Sequence, residues 1–70
     1  MTQVVSVSSS LLAVVAYSTP ETLDLTFHSG AVYRYFSVPR LLFDQLIAAD
    51  SKGAYFNRTI RNRFPYRRVA

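Results

Sequence analysis

The sequence predicts an α+β fold: a three-stranded antiparallel β-meander with one face covered by a helix, followed by a second, short basic helix. Three observations carry this. Residues 11–36 hold three β-like segments separated by turn residues. After Pro39 the apolar spacing changes from the period of a strand to that of a helix. The chain has no cysteine, so neither a disulfide nor a thiolate metal site supports the fold, and packing must.

The first segment, LLAVVAY over 11–17, is apolar on both faces, as a central strand is. Ser18–Glu21 form a turn, with Pro20 suited to its first corner position. TLDLTFH over 22–28 alternates, placing Leu23, Leu25 and Phe27 on one face and Thr22, Asp24, Thr26 and His28 on the other. VYRYF over 32–36 is the third strand. Ser37 is placed to cap the helix RLLFDQLIAAD, and Pro39 fits its first turn. Leu42, Phe43, Leu46 and Ile47 make the helix stripe. Gly53 reads as the left-handed residue that ends it. Asn57 reads as the N-cap of the second helix, RTIRNR, which stops before Phe64-Pro65. Phe56, Ile60 and Phe64 recur every fourth residue and would dock that helix on the core. The final YRRVA is a tail or a brief extra strand.

The second hairpin has two registers that differ by one residue. With a two-residue loop, Ser29-Gly30, Thr26 faces Tyr33, and Tyr33 and Tyr35 stand on the polar face. With a three-residue loop in which Gly30 is a left-handed bulge, Leu25 faces Tyr33 and Leu23 faces Tyr35. The slip turns every side chain over. Glycine at the third loop position and the apolar area of two tyrosines favour the second register, which sends Val32, Arg34 and Phe36 outward.

Seventy residues make one domain, taken as 1–70 with a compact part over about 8–64 and a basic tail over 65–70. Half the residues are hydrophobic, which argues against disorder. The N-terminal apolar run, LLAVVA, lacks a basic flank and is too short for a secretory signal, and nothing approaches a membrane span. A cytoplasmic location is expected. Charge is uneven. Residues 1–51 carry Arg34 and Arg40 against Glu21, Asp24, Asp44 and Asp50, whereas Lys52, Arg58, Arg61, Arg63, Arg67 and Arg68 follow with no acid. An anionic partner is the corresponding expectation.

Catalysis finds little support. His28 is the only histidine, and Asp24 lies about 13 Å from it along an extended strand. Ser8, Ser9 and Ser10 have no nucleophile elbow around them. One histidine with four scattered carboxylates is a poor metal set, and two glycines exclude a phosphate-cradling loop. The expectation is a non-enzyme without cofactor, metal or small-molecule substrate. Binding is better founded. Arginine forks pair with phosphates and stack on bases, and a basic groove with aromatic neighbours holds single-stranded nucleic acid. The candidate residues are Tyr33, Arg34, Tyr35, Lys52, Arg58, Arg61, Arg63, Tyr66, Arg67 and Arg68. The alternative is a protein-interaction module, which binds an acidic partner or itself through an outward Phe36.

The succession SSSLLAVVAYS, LDLTFHSGAVYRYFSVP and AADSKGAYFNRTIR resembles the KTSC domain across residues 8–64. The resemblance rests on Tyr33 and Tyr35 as a central Tyr-x-Tyr, with Val38-Pro39, Ser51, Gly53, Phe56 and Asn57 in order. KTSC domains occur at the C-terminus of some lysyl-tRNA synthetases and as free-standing bacterial proteins. The resemblance therefore implies RNA, either a tRNA or a single strand, as a partner. It implies no catalytic residue.

Overall fold

A computed structural model describes residues 2–70. The architecture is α+β, with a sheet of five strands rather than the three expected. The strands are β1 (Thr2–Ser6), β2 (Leu12–Ser18), β3 (Thr22–Phe27), β4 (Val32–Tyr35) and β5 (Tyr66–Arg68). All neighbours pair antiparallel in the order of the chain, so the sheet is a meander. Between β4 and β5 run helices α1 (Arg40–Ala48) and α2 (Lys52–Thr59).

The two strands beyond the expected three, β1 and β5, are the edges of the sheet. An edge strand buries little, so its sequence carries no clear alternation. In β1 only Val5 packs against the core, and all three residues of β5 are exposed. Of the two readings of the C-terminal residues, the structure takes the strand, and the backbone pairing continues past it from the Val69 amide to the Val32 carbonyl at 2.8 Å.

The hairpin between β3 and β4 has the three-residue loop. Leu25 faces Tyr33 and Leu23 faces Tyr35. The Gly30 amide donates to Phe27 O at 2.9 Å, and Gly30 has φ 95°, a conformation glycine adopts without strain. In β2 a bulge between Leu12 and Val14 turns both Leu12 and Val15 inward.

The helix boundaries differ from the expectation. Pro39, not Ser37, is the N-cap of α1, and it offers no side-chain cap. The next helix starts at Lys52, six residues before its expected start at Arg58, and Ser51 caps it by accepting from the Ala54 amide at 3.3 Å. Asp50-Ser51-Lys52-Gly53 thus begins a helix as well as ending one. Gly53 is not a left-handed terminator. A Cβ there would sit 3.3 Å from Leu11 Cβ, so glycine lets α2 approach the loop before β2. Asn57 is inside α2, and residues 60–63 are turn.

Both helices cover the same sheet face. Leu12, Val15, Leu23, Leu25, Val38, Phe43, Leu46 and Ile60 are fully buried between them, each contributing about 1.5–3 kcal/mol relative to exposure. On the opposite, uncovered face the registers align Val4, Ala16, Asp24, Arg34 and Arg67 in one row across the sheet. There Arg34 Nε and Nη2 donate to the two Asp24 carboxylate oxygens at 2.9 and 3.1 Å. This pair is partly exposed, so solvent screens it.

Candidate functional site

Strand alternation puts Tyr33 and Tyr35 on the helix-covered face. The β4–β5 register sets Tyr66 opposite Tyr35 and Arg68 opposite Tyr33. The rings make one cluster. Tyr66 stacks on Tyr35 with centroids 5.4 Å apart and lies 5.8 Å from Tyr33. Phe56 of α2 meets Tyr35 edge-on at 5.7 Å, and Phe27 of β3 joins Phe56 to Tyr33. Such geometries are the favourable ones for aromatic pairs.

This cluster floors a groove of about 660 Å³ between the β4–β5 edge and α2. Asn57, Arg61, Asn62 and Arg68 line it above the rings, and Ser29, Ala31 and Leu11 complete its wall. Burial falls from floor to rim: Tyr35 is 4% exposed and Tyr66 52%.

The phenol groups of the floor differ from the tyrosines of the core. Tyr17 Oη donates to Val38 O at 2.7 Å and Tyr55 Oη to Gln45 Oε1 at 2.6 Å. Among the described residues, the hydroxyls of Tyr33, Tyr35 and Tyr66 have no protein partner. Among the described residues no buried side-chain polar atom is left unsatisfied, so the Tyr35 hydroxyl reaches the open groove. Burial pushes the Tyr35 phenol above its ordinary pKa of 10.0, with Tyr66 and Tyr33 adding and Arg61 opposing. At neutral pH it is a protonated donor.

The cations of the groove keep N–H donors to spare. Arg61 Nη1 donates to Asn57 Oδ1 at 3.4 Å, and Arg68 Nε donates to Ala70 O at 2.8 Å. Neither forms an ion pair among the described residues, and no carboxylate lines the groove. Two guanidinium groups, three free phenols and an aromatic floor can hold a flat, anionic ligand.

Of the residues singled out from sequence, Tyr33, Tyr35, Arg61, Tyr66 and Arg68 meet at this groove. Arg34 and Arg67 lie across from each other on the uncovered face. Lys52 Nζ donates to Ala49 O, and Arg63 Nε donates to Arg58 O. Arg58 lies over the Tyr55 ring at 5.8 Å, beside a shallower depression between the helices. Sequence reasoning assigned Phe27 and Phe56 to the core and Asn57 to a cap, and it placed Asn62 only as a residue interleaved in the arginine run. The spacing of Asn57 and Arg61, one helical turn apart, is the signal that joins them once α2 starts at Lys52. His28, the single histidine, has Nε2 2.7 Å from Ser9 O. No cluster of three or more potential metal ligands occurs among the described residues.

Comparison with known proteins places this geometry among relatives. Residues 8–64 match the KTSC domain family. The chain is 43% identical over 53 residues, 76% of its length, to a lysine–tRNA ligase of Trichormus variabilis, and spans only 9% of that enzyme. It is 41% identical over 59 residues to a protein of Tsukamurella paurometabola, which covers 83% of this chain and 88% of that one. The crystal structure of a KTSC domain protein from Yersinia pestis superposes with a TM-score of 0.92 over the whole of both chains, at 28% identity.

Proposed function

The chain belongs to the KTSC domain family, and from that premise we propose that it is a small, non-enzymatic module that binds unpaired RNA, a free single strand or an exposed part of a tRNA. One observation carries the reading: Tyr33, Tyr35 and Tyr66 floor a groove whose only charged side chains, among the described residues, are Arg61 and Arg68. Rings stack with bases of any sequence, and guanidinium groups take the phosphates. The lysine–tRNA ligases among the relatives act on tRNA by name and share this segment. Their ligase activity is not carried over, because the chain spans only 9% of their length. A cytoplasmic location accords with the reading, and no helix among the described residues is long and apolar enough to cross a membrane.

Fluorescence anisotropy of a labelled single-stranded RNA and a tRNA tests it. The protein is titrated at about 50 and 200 mM salt, because phosphate contacts weaken as salt rises. Micromolar binding at the lower salt is expected, weaker by about five- to 150-fold in Tyr66→Ala from lost stacking of about 1–3 kcal/mol per base, and weaker with a shallower salt dependence in Arg61→Ala from a lost phosphate contact. No binding at the lower salt would sink the proposal.

The uncovered sheet face favours a second reading, a protein-interaction module. Val4 is 65% exposed on it, and Phe36 is only half-buried. Phe36→Ser would then disturb association, while leaving RNA affinity unchanged under the first reading. A strict monomer by light scattering, with no partner captured, counts against the second.

A further inference from the structure

Resting on the RNA-binding reading, we infer that the groove is an end site, which takes the terminal phosphomonoester of a strand on Tyr35, Arg61 and Arg68. The argument starts at the Tyr35 hydroxyl. Tyr35 is 4% exposed and lines the groove, yet its hydroxyl has no protein partner among the described residues. A buried polar group normally finds one. Burial also keeps this phenol protonated at neutral pH, so it is a donor at the floor that needs an acceptor from outside.

The groove holds donors in excess. Tyr33 and Tyr66 add two more free hydroxyls, and no carboxylate or histidine lines the groove among the described residues. Arg61 engages Asn57 through Nη1, which leaves its Nε–Nη2 edge free. Arg68 engages Ala70 O through Nε, which leaves its Nη1–Nη2 edge free. Each guanidinium therefore keeps one complete two-nitrogen edge, the form that binds a phosphate bidentately.

Charge and valence choose among the phosphates of a strand. An internal phosphodiester carries one negative charge and two free oxygens, which make a single O–P–O edge. Two forks and a floor donor ask for more than that, and a carboxylate has the same shortfall. A terminal phosphomonoester carries about −1.5 to −2 charges at neutral pH and three free oxygens. It offers three such edges, enough for a fork on each of two with Tyr35 on the remaining lone pairs. Its charge also matches two guanidinium groups. Depth points the same way. A strand end reaches the floor by entering once, whereas an internal phosphate must bring the chain in and out again.

Anisotropy with end-modified RNA tests the inference. Short single strands of one sequence, each with an internal fluorophore, are titrated with the intact chain at low salt. They carry a 5′-phosphate, a 3′-phosphate, or hydroxyls at both ends, so the arms also tell which end enters. At least one phosphorylated form is expected to bind tighter than the hydroxyl-ended one by about tenfold or more, from one charge-assisted hydrogen bond. That ratio is expected to fall to near one in Tyr35→Phe, which removes only the floor donor. The same is expected in Arg61→Lys, which keeps the charge and removes the fork. The ratio should also grow from about pH 5 to about pH 7. The second phosphate proton leaves at about pH 6, and no histidine or carboxylate of the groove titrates with it.

Equal affinity for the three RNAs, a ratio flat across this pH range, or a ratio unchanged in either folded variant would each overturn the end site. These results leave the RNA-binding reading standing, because the hydroxyl-ended strand still binds. If none of the three RNAs binds, the two readings fall together.

Discussion

Tyr17 and Tyr35 are equally buried, each 4% exposed, yet only one of their hydroxyls is committed within the protein. Tyr17 Oη satisfies Val38 O, so Tyr17→Phe leaves a buried carbonyl without its partner and is expected to cost about 1–3 kcal/mol. Tyr35 Oη opens on the groove, so Tyr35→Phe is expected to change stability by no more than about 0.5 kcal/mol. Urea unfolding of the two variants checks both values. The same pair sets an alkaline limit. Burial raises the Tyr17 phenol first, with Glu21 and Asp44 adding and Arg40 opposing, and burial likewise leads for Tyr35. The folded state thus keeps protons that the unfolded chain releases near the ordinary value of 10.0. Their contribution is whole below that pH and is lost as pH rises through the raised values. The urea midpoint should fall above about pH 10, and more shallowly in the double phenylalanine variant.

At the level of elements, α2 depends on two small residues at its start. Ser51→Ala removes its N-cap and is expected to cost about 1 kcal/mol. Gly53→Ala gains helix propensity, but its Cβ would press on Leu11 Cβ at 3.3 Å. Leu11 is held by Ser9 Oγ at its amide and by the His28 amide at its carbonyl, so it yields little. A net loss of about 0.5–1 kcal/mol is expected, because the propensity gain of at most about 1 kcal/mol is smaller in a first turn. Thermal unfolding of the two variants decides the point. The contrast shows how far the elements were legible. The alternation of Leu23, Leu25 and Phe27 and the stripe of Leu42, Phe43, Leu46 and Ile47 are set by burial on one side, so they read directly. Gly53 and Asn57 have local meanings as terminator and cap, and a tertiary contact and a groove override them. Thr2–Ser6 was illegible, and Tyr66–Arg68 was legible only as one of two readings, because edge strands need only a backbone partner.

Across the whole molecule, the basic C-terminal half is a property of the sequence, but its division among surfaces is a property of the sheet. Period-2 alternation sends Arg67 to one face and Arg68 to the other, and no charge count reveals this without the fifth strand. A single strand in the groove meets Arg61 and Arg68, so log affinity should fall with log salt at a slope of about −1.4, from about −0.7 per phosphate. A slope near −4 would mean that all the C-terminal cations engage. Replacing Arg34 and Arg67 together by glutamine should leave RNA affinity within about twofold, since surface charges outside the contact steer weakly through salt. The meander has a consequence of its own. β1 to β4 are joined by short connections, but β5 returns to β4 only after both helices, and it is three exposed residues long. The groove can therefore be dismantled by local opening of that last strand while the core persists, at a free energy below that of global unfolding. The Val69 amide, bonded to Val32 O, is a natural reporter of this opening in hydrogen exchange. A ligand that needs Tyr66 and Arg68 in place must slow that exchange by the factor one plus its concentration over its Kd, so occupancy is countable amide by amide without a label.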